Sequence, residues 1–338
     1  MDKYIIDVPV VLMFFIRQDT LNQVFSQIRE AKPSRLFLVC DGPRVNKSSD
    51  YASLESSKKI VANIDWDCDV HRIYNAENIG MYKTFYKAMD YVFSLVDRCV
   101  FLEDDVFVSL SFFQFCKVML EKYYDDTRVH LVSGMNHLGI YGNPNSDYFF
   151  SGESSIWGVA FWKRTYEMFN HSYRNDVFLQ RKVIDLVKKR KKGYEVKFQA
   201  YVKNDLVDGH IAGLEYYKNI LRFLNSSMCI IPRKNMVKNL GFSQGATNGP
   251  EQLKLMPKSI QNLYNMTTYD FDFPLKHPNY VLNDIHYEKK VNSILGFNSK
   301  IKYIYRKLSS LFRHILYGDI NRILMKLNIR KKSNERRK

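Results

Sequence analysis

The sequence predicts an α/β fold: a mainly parallel sheet flanked by helices, ending in a basic amphipathic helical tail. Two patterns and a composition predict it. Within the first 135 residues, short apolar runs alternate with segments whose apolar residues recur every three or four positions. The first of these runs is apolar without alternation, as expected of a strand buried on both faces. The chain of 338 residues is 46% hydrophobic and 25% charged, a globular composition that excludes wholesale disorder and fibrous repeats.

Val8–Ile16 is that first strand. Asp19 or Thr20 is placed to cap the following helix, whose Leu21, Val24, Phe25 and Ile28 form one face ending near Lys32-Pro33. Leu36–Cys40 is a second strand and runs into a turn at Asp41-Gly42-Pro43. A polar helix over 49–63, a weaker strand over Val70–Tyr74, and a helix from Met81 to Val96 with Phe85, Ala88, Met89, Val92, Phe93 and Val96 inward follow. Cys99–Leu102 is the fourth strand and ends in Glu103-Asp104-Asp105. Strands separated by helices imply right-handed crossovers, and such sheets bind ligands beyond the carboxyl ends of their strands. Arg17, Asp41, Asn75–Gly80 and Glu103–Asp105 all fall at such ends.

Beyond residue 135 the rhythm changes. His137–Ser155 is rich in Gly, Asn, Ser and Tyr, and an apolar run Trp157–Trp162 follows it. Helices are expected near Lys163–Asn170 and around Leu214–Leu224, with a strand over Met228–Pro232. The run Lys188–Lys192 reads as a solvated helix end. The expected organisation is a main domain over 1–250, an irregular acceptor-side or lid segment over 251–298, and the tail over 299–338.

The charge is concentrated. Of a net +16, the segment from Lys300 to Lys338 carries +11, with 13 Lys/Arg against Asp319 and Glu335. There Ile301, Ile304, Leu308, Leu311, Phe312, Ile315 and Leu316 form a stripe, with Lys302, Arg306, Lys307 and Arg313 off it. A packed terminal helix, an anchor on anionic lipid and a nucleic-acid arm all fit a basic tail. A nucleic-acid arm interleaves its charges with stacking aromatics, so no nucleic-acid partner is expected. An apolar stripe with a basic flank favours an anionic membrane surface, contacted through residues 300–338. Five scattered cysteines without a C-x-x-C pair argue against a disulfide framework or structural zinc and fit a reducing compartment. No stretch of 18 apolar residues occurs, and Met1-Asp2-Lys3 lacks the form of a signal peptide. The expectation is a cytoplasmic chain, peripheral at the inner face of a membrane.

Three adjacent carboxylates repel one another, and at a sheet end they need solvent or positive charge. A divalent cation is an efficient match: hard oxygen ligands suit Mg²⁺ or Mn²⁺, which bridge one or two carboxylates to substrate phosphates. Because successive residues of an extended segment point opposite ways, the cluster is able to divide its tasks. An acidic turn with no ligand is the plainer alternative.

The stretches Phe14–Arg17, Leu38–Asp41, Phe101–Val106 followed by Ser111-Phe112-Phe113, Trp157-Gly158 and Asn239–Phe242 together resemble GT-A nucleotide-sugar glycosyltransferases with an E-D-D version of the D-x-D motif. Similar proteins are the N-acetylglucosaminyltransferase that initiates complex N-glycans and bacterial sugar transferases of that type. The resemblance covers about residues 8–250. It implies a transferase domain taking a sugar from a nucleoside diphosphate, UDP by default, to an acceptor hydroxyl of a glycan or lipid-linked glycan with inversion. Arg17 and Asp41 would hold base and ribose, and Asn78, Gly80, Tyr82 and Lys83 would flank the nucleotide. Glu103 and Asp104 would contact the base or sugar of the donor, and Asp105 would ligate Mn²⁺ or Mg²⁺ on the diphosphate.

For the general base the resemblance points to Glu215, where an Asp is usual, with Asp205 and Asp208 as rivals. Asn248 stands where related enzymes often carry a His. Trp157, Phe161 and Trp162 have flat faces suited to sugar C–H faces, with ordinary core favoured for Phe161. A sugar-nucleotide pyrophosphorylase needs a Gly-rich phosphate loop after the first strand, and Arg17-Gln18-Asp19-Thr20 has no glycine. A dinucleotide-dependent dehydrogenase fails for want of G-x-G-x-x-G. The remaining rival is a non-catalytic lipid- or nucleic-acid-binding protein.

Overall fold

The structure is a computed structural model that describes residues 5–168, 176–195, 199, 214–242 and 253–316. Its first half follows the expected alternation: β1 (Ile6–Phe14), α1 (Gln18–Ala31), β2 (Pro33–Cys40), α2 (Ser49–Ala62), β3 (Asp69–Tyr74), α3 (Met81–Leu95) and β4 (Arg98–Glu103). Helix α1 starts earlier than Asp19 or Thr20, with Arg17 at its N-cap and no side-chain cap, and Lys32 closes it in the left-handed region. The second half comprises β5 (Val106–Val108), α4 (Ser111–Lys122), β6 (Val129–Ser133), β7 (Tyr148–Ser151), β8 (Val159–Trp162), α5 (Lys163–Glu167), α6 (Val177–Arg190), α7 (Leu214–Leu224), β9 (Met228–Pro232), β10 (Val237–Asn239), α8 (Lys258–Tyr264), α9 (Ile285–Ile294) and α10 (Lys300–Leu316).

Eight strands form one sheet in the order β3-β2-β1-β4-β8-β6-β9-β7, and β10 pairs with β5 apart from it. Strands β3, β2, β1 and β4 are all parallel, as is the β6–β9 pair. Antiparallel pairing enters where β8 sits between β4 and β6 and where β7 borders β9. The fold is therefore α/β with a mostly parallel mixed sheet flanked by helices.

Alternation along β1 supplies both cores. Val8, Val10, Leu12 and Phe14 pack with Leu21, Val24, Phe25 and Ile28 of α1 and with Phe112, Phe115 and Met119 of α4. Val11 points to the other face, where Phe85, Ala88, Met89, Val92 and Phe93 of α3 lie with Phe161, Ile231 and Tyr287. Phe161 and Trp162 are thus core residues, and the Trp162 indole N–H donates to the Leu120 carbonyl at 3.0 Å. The described part of the expected 251–298 segment, residues 253–298, includes helices as well as loops. It carries α8 and α9, and it buries Phe271, Leu275, Tyr287 and Val291 in the two cores.

One charged residue departs from expectation. Lys188, Lys189 and Lys192 are solvated, but Lys191 is buried and pairs with Glu153 at 2.7 Å. Arg222 pairs with the same Glu153 and with Glu288, the latter at 2.6 Å, while Lys218 donates to the Ser154 carbonyl. This buried network ties α7, α9 and the end of α6 to the loop after β7. Burial alone would raise the Glu153 carboxyl; Lys191 and Arg222 outweigh it and hold it down at about 2. Burial, reinforced by Lys218 and Arg222, pushes His130 from the ordinary 6.5 down to about 3.

Removing Glu153 leaves buried Lys191 without its acid partner and takes one of two from Arg222, which keeps Glu288, so Glu153→Ala should lower unfolding stability by about 3 kcal/mol, read as a shift of the urea midpoint. The His130 imidazole stays neutral in the folded chain, whereas the unfolded chain takes up its proton below 6.5. Lowering the pH from about 7 to about 5 should therefore cost wild type more stability than His130→Gln, the other titrating groups cancelling in the difference.

Candidate functional site

Register gathers the site. Phe14 lies opposite Cys40, Cys40 opposite Tyr74, and Met13 opposite Glu103, so four parallel strands finish at one edge. A cavity of about 510 Å³ opens there, within the range of small-ligand pockets. Arg17, Asp41, Asn78, Gly80, Glu103, Asp104 and Asp105 all line it.

The acid triplet is held against a single turn of chain after β1. The Phe15 N–H donates to Asp104 Oδ2 at 2.9 Å, and Arg17 Nη1 reaches Asp105 Oδ2 at 2.5 Å and Asp104 Oδ1 at 3.4 Å. Burial pushes Glu103 up to about 8, with the neighbouring Asp105 and Asp104 adding to it and Arg17 opposing. Burial also raises Asp104 to about 6 against the pull of Arg17, and Asp105 is raised in the same way. The cluster thus holds more negative charge than one guanidinium neutralises.

Behind Asp105 runs the segment after β10. The Leu240 N–H donates to the Asp105 carbonyl at 2.7 Å. At Gly241 a Cβ would lie 2.7 Å from Asp105 Oδ2 and 2.9 Å from Asn239 Oδ1, so only glycine lets the backbone come this close to the carboxylate.

Asp41 builds the opposite wall. Its carboxylate accepts from the Gly42, Ile79 and Gly80 N–H groups at 2.9, 3.1 and 2.9 Å and from Asn75 Nδ2 at 3.1 Å. Asn78 Nδ2 donates to the Gly42 carbonyl at 2.9 Å. Asp41 and Asn78 therefore fix the loop that enters α3, and their side chains are engaged by protein in doing so. Tyr82 and Lys83 are exposed on the first turn of α3 and do not line the cavity.

An aromatic cluster adjoins Asp105. Tyr264 contacts Trp157 and Phe242, with ring centroids 4.8 and 4.7 Å apart. Burial first, and then the charges of Asp105 and Glu215, push the Tyr264 phenol up to about 12. Tyr264 is thus within electrostatic reach of both carboxylates; Glu215 is exposed in the first turn of α7 and does not line the cavity. Asp205, Asp208 and Asn248 lie outside the described residues. Phe242 stood within a motif, but nothing in the sequence marked Tyr264, whose helix α8 reaches Asp105 only through the fold.

Carboxylates are hard oxygen donors, the class of ligand that suits Mg²⁺ or Mn²⁺. Among the described residues no group of three or more His, Cys, Asp or Glu side chains is arranged to hold an ion by itself.

No protein-family model matches the sequence, and no curated protein does. Among solved structures the chain is similar to HddC from Yersinia pseudotuberculosis, 13% identical with TM-score 0.29 over 51% of this chain and 85% of that one. It is similar to the glycosyltransferase GlyE of Streptococcus pneumoniae TIGR4, 10% identical with TM-score 0.29 over 67% and 45%. With the inositol-1-phosphate CTP transferase from T. maritima the identity is 8% and the TM-score 0.38, over 77% and 95%. These likenesses are partial, and the reading of the site rests on its own geometry.

The close approach at Gly241 has a consequence. Gly241→Ala should displace the Asp105 carboxylate while leaving the unfolding midpoint within about 1 kcal/mol of wild type. A structure of the variant in which Asp105 Oδ2 keeps its 2.5 Å contact with Arg17 would contradict this.

Proposed function

We propose that this chain is a metal-dependent glycosyltransferase that moves a hexosyl or N-acetylhexosaminyl group from a nucleoside-diphosphate sugar, UDP-linked by default, to a hydroxyl of a glycan or lipid-linked glycan, with inversion. The observation that carries this reading is the buried, under-neutralised triplet Glu103-Asp104-Asp105 at the mouth of four aligned strand ends, beside a nucleotide-sized cavity.

Asp105 would hold the cation, and a bound Mg²⁺ or Mn²⁺ supplies Lewis-acid neutralisation of the departing diphosphate. Arg17 keeps the Asp104 and Asp105 side chains in place and brings a guanidinium to where phosphate charge arrives. Glu103 and Asp104 face the cavity as donor contacts. Glu215 is proposed as the base that takes the acceptor proton, with Asp205 and Asp208 as the alternatives. The partly exposed faces of Trp157, Tyr264 and Phe242 are proposed as the wall for the acceptor sugar, since apolar ring faces pack against sugar C–H faces. Nucleotidyl transfer is the less favoured chemistry. Only Phe15, Ile16 and Arg17 separate β1 from α1, which leaves no glycine-rich loop to cradle phosphates.

A position at the inner face of a membrane belongs to the same proposal. It is supported by the basic amphipathic sequence from Lys300 onward, and no helix among the described residues is long and apolar enough to cross a membrane.

Thermal-shift measurements with UDP and Mn²⁺ test the donor site. Ligand at about 100 times its Kd should stabilise the wild type by about 2.7 kcal/mol, and chelation or Asp105→Ala should remove that effect. Mn²⁺-dependent release of UDP from a nucleotide sugar should be lost in Asp105→Ala with the fold intact. Stabilisation indifferent to both metal and Asp105, or sugar 1-phosphate as the product, would overturn the reading.

A further inference from the structure

Helix α10 is mounted with its faces reversed. A surface helix ordinarily turns its apolar stripe to the core and its charges to water. Here the residues that hold α10 to the body of the protein are mainly polar. Lys302 Nζ donates to Ser293 Oγ at 3.0 Å, and Arg306 donates to the Leu295 carbonyl with its guanidinium 4.8 Å from the Phe297 ring centroid. Arg313 donates to the Lys254 carbonyl at 3.3 Å, and Tyr303 packs near Phe297 with centroids 6.2 Å apart.

On the opposite arc lie Ile301, Ile304, Tyr305, Leu308, Leu311, Phe312, Ile315 and Leu316, all exposed, from 42% at Leu311 to 79% at Ile301. At 100° per residue these eight fall within less than half a turn of one another. They form a continuous apolar strip about 25 Å long, larger than a solvent-facing surface normally tolerates.

Charge selects what covers the strip. Over its seventeen residues α10 has five Lys/Arg and no acid, and the chain beyond it, 317–338, adds eight Lys/Arg against two acids. A second copy of α10, or the chain's own continuation folded back, would bring positive charge onto positive charge. An anionic bilayer brings the opposite sign and an apolar layer beneath it.

We propose that the outward face of α10 is a pre-formed docking surface for an anionic lipid bilayer, the helix lying in the interface while its polar face stays fixed to the domain. This rests on the peripheral-membrane part of the proposed function and adds the surface through which contact is made. It differs from a loose tether: Lys302, Tyr303, Arg306 and Arg313 hold the helix, so the bound enzyme has one orientation relative to the membrane.

Flotation of the full chain with vesicles tests it, using phosphatidylcholine alone and phosphatidylcholine with roughly one-third phosphatidylglycerol. Wild type should float with the anionic vesicles and not with the neutral ones. The pair Leu308→Glu and Phe312→Glu changes two exposed side chains, so the unfolding midpoint should be kept while vesicle affinity falls about tenfold or more. If that variant floats like wild type, the docking face is wrong while membrane association through the remaining tail stands. If wild type itself does not float, both fall. A concentration-dependent dimer in sedimentation that the same pair abolishes, with no vesicle binding, would assign the strip to a second copy and overturn the proposal.

Discussion

Three carboxylates in consecutive positions, largely shut away from water, cannot all stay ionised without a counter-charge, and Arg17 is the counter-charge paired with them. It does so because β1 and β4 are adjacent and parallel, so the turn leaving β1 passes directly beside the end of β4. The same turn offers the Phe15 N–H to Asp104. Among the described residues one guanidinium is paired with the acids; the deficit this leaves is what, in the proposed function, a divalent ion or a ligand bringing one would fill. Without the deficit the triplet would be an acidic turn closed by an arginine.

The walls of the cavity are built by groups that do not themselves need to touch a ligand. Asp41 spends its carboxylate on the loop entering α3, and that loop stands at the cavity mouth because a carboxylate accepting several N–H groups is a rigid fixture. Gly241 lets the chain after β10 lie against Asp105. The short β5–β10 pairing thus brings Phe242, and through it Tyr264 and Trp157, to the acid cluster.

The other half of the molecule is organised by a different electrostatic solution. Glu153 and Glu288 are buried among Lys191 and Arg222, and the pairing joins elements far apart in the chain. Here both acids are paired inside the protein, so the network serves as a clamp. It holds the neighbourhood of α9, on whose end α10 is mounted with its apolar strip outward.

The sequence by itself determined the first half of the fold. Continuous apolar strands and helices with a regular three-and-four spacing leave little choice, and the acids and turns between them marked where the site stands. It also determined that Asp105, Asp104, Glu103 and Arg17 share one edge, because strand ends in a parallel sheet all point the same way. The tertiary structure alone decided the rest. Short strands such as β6, β7 and β8 carry too little periodicity to be read before their partners are known, and Lys191 looked solvated because its acid partner is distant in the chain. Tyr264 joined the site through Trp157, far back in the chain, and α10 turned its apolar face outward because its polar side chains seat on the end of α9, on Phe297 and on Lys254. Such contacts depend on how helices seat against a finished sheet, which no local pattern of residues encodes.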